Sequence, residues 1–490
     1  MAKRDRPAAR VPSGFKDALA RDVLERQAMI EQIVKVYRLY GFEPLETPGI
    51  EYLDALGKFL PDKDAPDEGV FALRDDDGQW LALRYDLTAP LARVVAQYGT
   101  SLPTPYRRFQ YGPVWRREKP GPTTFRQFYQ CDFDTVGTAS MAVDAEVCAI
   151  LSQSLESLGV ARGDYVIRVN NRKVLTALLT QSGVADPDKQ LAVLRAVDKL
   201  ERLGPEGVTH LLGKGRHDPS GDFTPGADLS SEQIDVVLDY MQIGLASRED
   251  VLDRLARFVG ISEDGKVGLS ELQQIHDLLV SMSIGSDQVV FDTSVVRGLA
   301  YYTGPVFEAA LTFEVLDDRG QKKQFGSVAG GGRYDDLVKR FTGKDVPACG
   351  ASIGVDRLLT ALKLRNPAAF SAASGPVVVT VMERSRVSDY QVMVAELRSA
   401  SIPAELYMGA GAFRAQLKYA DKRRAPVAVI AGQDEFSAGQ ITVKDLLLGS
   451  ELAKEISDRK TWVSGTVAQE TVGRDHLVDA VRRVLERHRG

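Results

Sequence analysis

The chain has 490 residues and a mass of 53.6 kDa, too long for one hydrophobic core, so about two to four domains are expected. Its charged fraction of 26% and hydrophobic fraction of 44% are those of an ordinary globular protein. No apolar run approaches the ~20 residues of a membrane-spanning helix. A net charge of −5 excludes a surface that binds nucleic acid over its whole extent.

Residues 1–12 are basic and proline-bearing without the apolar block of a signal peptide, which predicts a short disordered arm. From Asp17 to Tyr40 the apolar residues Leu19, Val23, Leu24, Ala28, Ile33, Val34 and Tyr37 recur at helical spacing, and Gly41 is a helix stop. Pro44 and Pro48 then suit an extended edge strand. GVFALRD and QWLALRYD read as two strands joined by an Asp-Asp-Asp-Gly turn, followed by a helix from Leu87 to Gln97. FQYGPVWRRE and TFRQFYQCDFDTVG read as two strands around the loop KPGPT.

Between 172 and 290 helical periodicity dominates, as in KQLAVLRAVDKLERL, and strand signals vanish. Strands return at 294–331, and a helix begins near Gly354. Residues 366–375, NPAAFSAASG, mark a linker. Beyond it PVVVTVM, PAELYM and APVAVIAG alternate with helical segments, the pattern of a small α/β domain. The expected fold class is therefore α+β, in six segments. These are an arm at 1–12, a sheet domain at 13–171 resuming at 291–366, a helical insertion at 172–290, a linker at 367–375, and a C-terminal domain at 376–490.

Cys131, Cys148 and Cys349 are widely spaced and form no CxxC, so neither a disulfide framework nor a zinc ribbon is indicated. That usage suits a reducing compartment, the cytosol. The five histidines (His210, His217, His276, His476, His488) sit outside every motif and form no ligand pair, so no metal site is expected. Residues 375–490 hold 17 Lys/Arg against 15 Asp/Glu, which tolerates a nucleic-acid partner at local patches. The run Asp421-Lys422-Arg423-Arg424 is either a solvated helix end or a contact for phosphates.

Four segments place arginines or acids within otherwise apolar strands: LRYDLT (83–88), VWRRE…FRQFYQCDFD (114–134), VRGLAYY (296–302) and GASIGVDR (350–357). A buried charge is costly unless it is paired or meets a ligand. Several arginines in one sheet are explained together if they converge on a polyanion, for which arginine is the best side chain. The chain has no G-x-x-x-x-G-K-[ST] loop and no kinase signature, which leaves an ATP site built from arginines on an antiparallel sheet. Residues 297–308, RGLAYYTGPVFE, add two adjacent tyrosines able to wall a heteroaromatic ligand.

These residues resemble the class II aminoacyl-tRNA synthetases. A proline-bearing helix–strand lies at 17–52, the arginine–loop–aromatic unit is WRRE…FRQFYQ, and GASIGVDR is a glycine-rich strand leading into an arginine helix. RGLAYYTG with AGGGRYDDL (329–337) resembles the histidyl-tRNA synthetase family in particular, and AELYMGAGAFRAQLKYADKRRAPVAVIAGQDE is similar to that family's anticodon-binding module. The resemblance implies an antiparallel catalytic sheet flanked by helices. It also implies a ligase that forms histidyl-adenylate from ATP and L-histidine and esterifies the 3′ end of tRNA(His). Mg²⁺ accompanies the triphosphate, and a homodimer forms through the first signature.

The resemblance also implies roles by position. Arg116 grips the α-phosphate and the carboxylate side, Glu118 faces the adenine amino group, and Phe128 stacks on the adenine ring. Arg357 clamps the γ-phosphate and Arg297 faces the α-phosphate. Asp86, Thr88 and Gln130 hold the α-ammonium and carboxylate of the amino acid. Asp134, Tyr301 and Tyr302 form the pocket for imidazole. The chemistry is consistent with these roles: an ionised carboxylate needs no base to attack phosphorus, and fixed arginines stabilise the charge that builds up. Two positions depart from the family pattern: Ala300, where an acid is usual, and Thr124, where an arginine is common. Two rival readings are a non-catalytic synthetase-like regulatory subunit and a synthetase for another amino acid.

Overall fold

The computed structural model describes residues 8–56, 69–119, 121, 125–217, 221–244, 247–259, 262–296, 302–316, 320, 322–366, 375–449 and 468–488. The expected arm falls largely outside them, as do most of the linker, Thr124, Arg297, Ala300 and Tyr301. The chain divides into two compact units, Met1–Pro367 and Ala368–Gly490.

The first unit is organised by an eight-stranded sheet. Its strands are β1 (Glu43–Pro44), β2 (Tyr106–Trp115), β3 (Gln127–Val136), β4 (Tyr165–Asn171), β5 (Val289–Phe291), β6 (Pro305–Leu316), β7 (Lys322–Arg333) and β8 (Ala348–Gly354). They lie in the order β1-β2-β3-β8-β7-β6-β4-β5. Only the outermost pairs, β1–β2 and β4–β5, are parallel; the six inner strands pair antiparallel. The proline-bearing segment forms the edge strand β1, where the missing N–H of Pro44 does least harm.

Helix α1 (Ala20–Leu39) covers one face of this sheet with its buried side, which includes Met29, Ile30, Ile33, Val34 and Tyr37. Gly41, at φ +77°, ends it in the left-handed conformation that glycine adopts most easily. The Tyr37 ring packs 4.8 Å from Phe133 and 6.1 Å from Phe109, and Phe42 meets Phe133 edge-on at 5.6 Å. Such pairs contribute ~0.5–1.5 kcal/mol each beyond simple burial. Strand alternation then sends Cys131 and Phe133 toward this aromatic layer, and Gln130, Asp132 and Asp134 to the opposite face.

That opposite face is bordered by helix α2 (Thr88–Tyr98), while α3 (Met141–Ser157) and α4 (Val355–Arg365) complete the frame around the sheet. Strand β8 runs directly into α4 at Gly354. A small antiparallel ladder of Ile50–Tyr52, Trp80–Leu83 and Ala72–Arg74 accompanies α2. Between β4 and β5 the chain is mainly helical, from Arg172–Gln181 to Glu263–Ser281. It is not free of strands, as the sequence suggested: Gly215–His217 and Phe223–Pro225 form a two-stranded ladder. Three-residue strands are too short to give a period-2 signal against the surrounding helices.

The second unit carries a five-stranded sheet in the order Ala404–Leu406, Val377–Val379, Val427–Ile430, Gln440–Asp445, Gln469–Gly473. Its first three strands are parallel and its last two antiparallel. Helix Leu477–Arg487 closes the core with Leu477, Ala480, Val481 and Val484, one helical face.

Candidate active site

Strand β3 is the spine of the site. Phe128, Gln130, Asp132 and Asp134 alternate on one face, so at ~3.3 Å per residue they span about 20 Å, the length of an extended aminoacyl nucleotide. A cavity of about 260 Å³ opens over this face. Of the residues predicted from sequence, Asp86, Thr88, Arg116, Phe128, Gln130, Asp134, Tyr302 and Arg357 line it. Glu118 does not: its side chain is 55% exposed and stands 3.9 Å from Arg116. Arg297 and Tyr301 lie outside the described residues.

At one end stand the cationic and aromatic groups. Arg116 donates from Nε to the Tyr85 carbonyl at 3.2 Å, and its guanidinium lies 5.2 Å from the Phe128 ring centroid. Arg357, in the first turn of α4, donates to the Phe325 carbonyl. Its neighbour Asp356 accepts the Tyr129 amide at 2.7 Å, which ties α4 to β3.

Asp86 fills two roles at once. Its Oδ1 accepts the Ala89 amide at 2.9 Å and so holds the start of α2, while the residue also lines the cavity. Burial pushes its carboxyl up, opposed by that amide and by Arg116.

At the other end Asp134 is held from two sides. Arg108, wholly buried on β2 and directly opposite in register, stands 2.8 Å from Asp134 Oδ2. The Tyr334 hydroxyl donates to Oδ1. Burial pushes the Asp134 carboxyl up, while Arg108 and the Tyr334 hydroxyl act the other way. Burial beside Asp134 keeps Tyr334 a phenol, well above its ordinary range. Arg108 also donates to the Leu87 carbonyl at 2.9 Å, which links this pair to α2.

Glycine makes the pocket possible at two points. A side-chain carbon at Gly350 would lie 2.2 Å from Asp134 Oδ1, and one at Gly332 would lie 2.8 Å from the Tyr302 ring. Both glycines let functional side chains rest directly on the neighbouring backbone.

Arg108, Tyr334, Gln110, Asp132 and Ser352 were not predicted from sequence, although all but Arg108 stood inside quoted segments: AGGGRYDDL, FQYGPVWRRE, FRQFYQCDFD and GASIGVDR. Arg108 and Gln110 carry a signal too: they alternate as polar residues in a strand that also buries Tyr106, Phe109 and Val114. On the C-terminal unit, Arg423 of the charge run is taken by Glu405, at 2.9 and 3.0 Å.

A family model described as histidyl-tRNA synthetase matches residues 14–358, and one described as anticodon binding domain matches residues 376–483. The chain is 57% identical over 493 residues to a histidine–tRNA ligase of Dinoroseobacter shibae, covering 99% of both proteins. To that of Caulobacter vibrioides it is 52% identical over 481 residues, covering 98% of this chain and 97% of the relative. The crystal structure of histidyl-tRNA synthetase from Nostoc sp. PCC 7120 superposes with a TM-score of 0.74 at 30% identity, covering 98% of this chain and all of that one. A Bacillus halodurans structure described as an ATP phosphoribosyltransferase regulatory subunit/histidyl-tRNA synthetase has a TM-score of 0.66 at 22% identity, covering 84% and 97%. At that identity it reports the shared fold alone, and the regulatory reading is not favoured. The chain belongs to the histidyl-tRNA synthetase family, ATP-dependent ligases that join histidine to its tRNA.

Proposed function

We propose that the cavity seats histidine beside Asp134 and ATP beside Arg116, Phe128 and Arg357, with the α-carboxylate meeting the α-phosphorus between them. One observation carries this reading: eight of the predicted residues, from four separate chain segments at 86–88, 116–134, 302 and 357, line the same cavity. Asp134, oriented by Arg108 and Tyr334, is suited to accept an imidazole N–H. A buried polar acceptor of this kind rejects apolar side chains by ~10⁴ without editing, because it would be left unpaired. Asp86, Thr88 and Gln130 hold the ammonium and carboxylate groups.

In the first step a histidine carboxylate oxygen bonds to the α-phosphorus and the bond to the bridging oxygen breaks, releasing pyrophosphate. Arg116 faces the charge that builds on the α-phosphate, Arg357 holds the terminal phosphate, and Phe128 stacks on adenine. Glu118 reaches the adenine amino group by its backbone or a turn of its exposed side chain, and the family resemblance assigns Arg297 to the α-phosphate and Tyr301 to the imidazole. A 3′-terminal ribose hydroxyl of tRNA(His) then attacks the acyl carbon and displaces AMP. Mg²⁺ enters with the triphosphate, whose charge it offsets.

Exposed apolar side chains at Leu39, Ile50 and Tyr52, in the first-signature region, support a homodimer formed there. A sedimentation mass near 53.6 kDa would refute it. The reaction belongs to the cytoplasm, where tRNA is charged.

The decisive experiment is ATP–pyrophosphate exchange with each standard amino acid. Exchange with histidine alone supports the reading; exchange with another amino acid, or with none, sinks it.

A further inference from the structure

Beneath the cavity a row of polar side chains crosses three neighbouring strands. In register, Gln110 of β2 stands opposite Asp132 of β3, and Asp132 opposite Ser352 of β8. Gln110 and Asp132 are each 1% exposed and Gln130 is 8% exposed. Gln110 gives its amide N–H to Thr47 Oγ1 at 2.9 Å, and Gln130 gives its own to Ser352 Oγ at 2.6 Å. Yet Gln110 Oε1, both Asp132 oxygens and Gln130 Oε1 are buried without a hydrogen-bond partner. Each such acceptor costs ~1–3 kcal/mol, so a row of them needs a reason.

The placement of protons supplies one. Ser352 already accepts from Gln130, so its own O–H is left to give, and the Asp132 carboxyl opposite it in register is an acceptor without another partner. Burial pushes the Asp132 carboxyl up to about 8, against the pull of Arg108. At neutral pH it is therefore an acid, with a proton for Gln110 Oε1 across the strand pair. The row then runs in one direction, Gln130 to Ser352 to Asp132 to Gln110. One acceptor remains: Gln130 Oε1, on a residue that lines the cavity.

We propose that Asp132 and Ser352 are positioning residues that lock the Gln130 amide with its oxygen toward the cavity, where it accepts a hydrogen bond from the α-ammonium group of the amino acid. The proposal rests on the assignment of Gln130 to the amino-acid head group. With the lock released, the amide turns and presents N–H to N–H, which removes one charge-assisted hydrogen bond.

The test is the KM for histidine and for ATP in pyrophosphate exchange. Ser352→Ala is expected to raise the histidine KM about tenfold or more while leaving the ATP KM in place. Ser352→Thr, which keeps the hydroxyl, recovers most of that loss. Asp132→Leu repeats the defect, and Asp132→Asn rescues it by keeping an acceptor for Ser352 and a donor for Gln110. A second readout separates positioning from general damage. Histidinol, which keeps the amine, loses inhibition in Ser352→Ala in step with histidine; imidazolepropionate, which lacks it, does not. Equal losses for both inhibitors, or a histidine KM within twofold of the unmodified enzyme in Ser352→Ala, overturn the proposal. If Gln130→Ala leaves the histidine KM unmoved, the head-group assignment itself fails.

Discussion

The two sheets of this chain treat their faces differently. In the C-terminal unit, strands Val377–Val379 and Val427–Ile430 are buried on both faces and wholly apolar. In the large sheet, one face of β2 and β3 is as deeply buried but carries Arg108, Gln110, Asp132 and Asp134. The first arrangement gains hydrophobic stabilisation from every side chain. The second forgoes it: a buried ion pair is often no better for stability than apolar residues of the same volume, and removing one partner costs ~3–5 kcal/mol. A sheet that keeps such a face holds charge in fixed positions, and the cavity lies over that face.

Several substitutions sharpen this contrast. The largest effect is expected on the polar face, where Arg116→Ala should lower the exchange rate constant by ~10²–10³ with little loss of thermal stability. A rate within threefold of the unmodified enzyme would remove Arg116 from the phosphate site. In the apolar core of the second unit, fully buried Leu397→Ala should cost about 2–5 kcal/mol of that unit's stability. It should reduce tRNA charging while leaving histidine-dependent exchange intact, because the reacting groups lie in the other unit. Loss of exchange in parallel would mean the division of labour is wrong.

A third effect is a pH dependence. Asp132 has its carboxyl raised from 3.8 to about 8, by burial first. The folded state thus keeps a proton that the unfolded chain releases. Its contribution is fully present below about pH 4 and is lost as pH rises through about 8. Asp132→Asn cannot titrate, so its urea midpoint relative to the unmodified protein should rise between pH 5.5 and pH 8.5. A difference that stays constant across that range would mean Asp132 is ionised throughout.

Much of the architecture was legible because it rests on local periodicity. The alternation in β3 and the helical spacing before Gly41 are both properties of a few consecutive residues. The cavity's outer groups were legible too, through motifs that quote them side by side. What sequence could not supply was cross-strand company. Arg108 and Asp134 are 26 positions apart, and Tyr334 lies 200 positions from the carboxylate it serves. Their meeting depends on the order β2-β3-β8-β7, which no segment of the chain encodes alone. Glu118, assigned to adenine by family resemblance, has a side chain that is 55% exposed. Arg423 belonged to a charge run by sequence and to Glu405 by folding.

The claim at the centre of this account is that a fixed, buried carboxylate selects histidine. Exchange kinetics of Asp134→Asn, a change of charge with almost no change of shape, test it most directly. The account predicts that kcat/KM for histidine falls by about 10²-fold or more, with the ATP KM held within about threefold. An unchanged kcat/KM for histidine in a folded Asp134→Asn enzyme would contradict it.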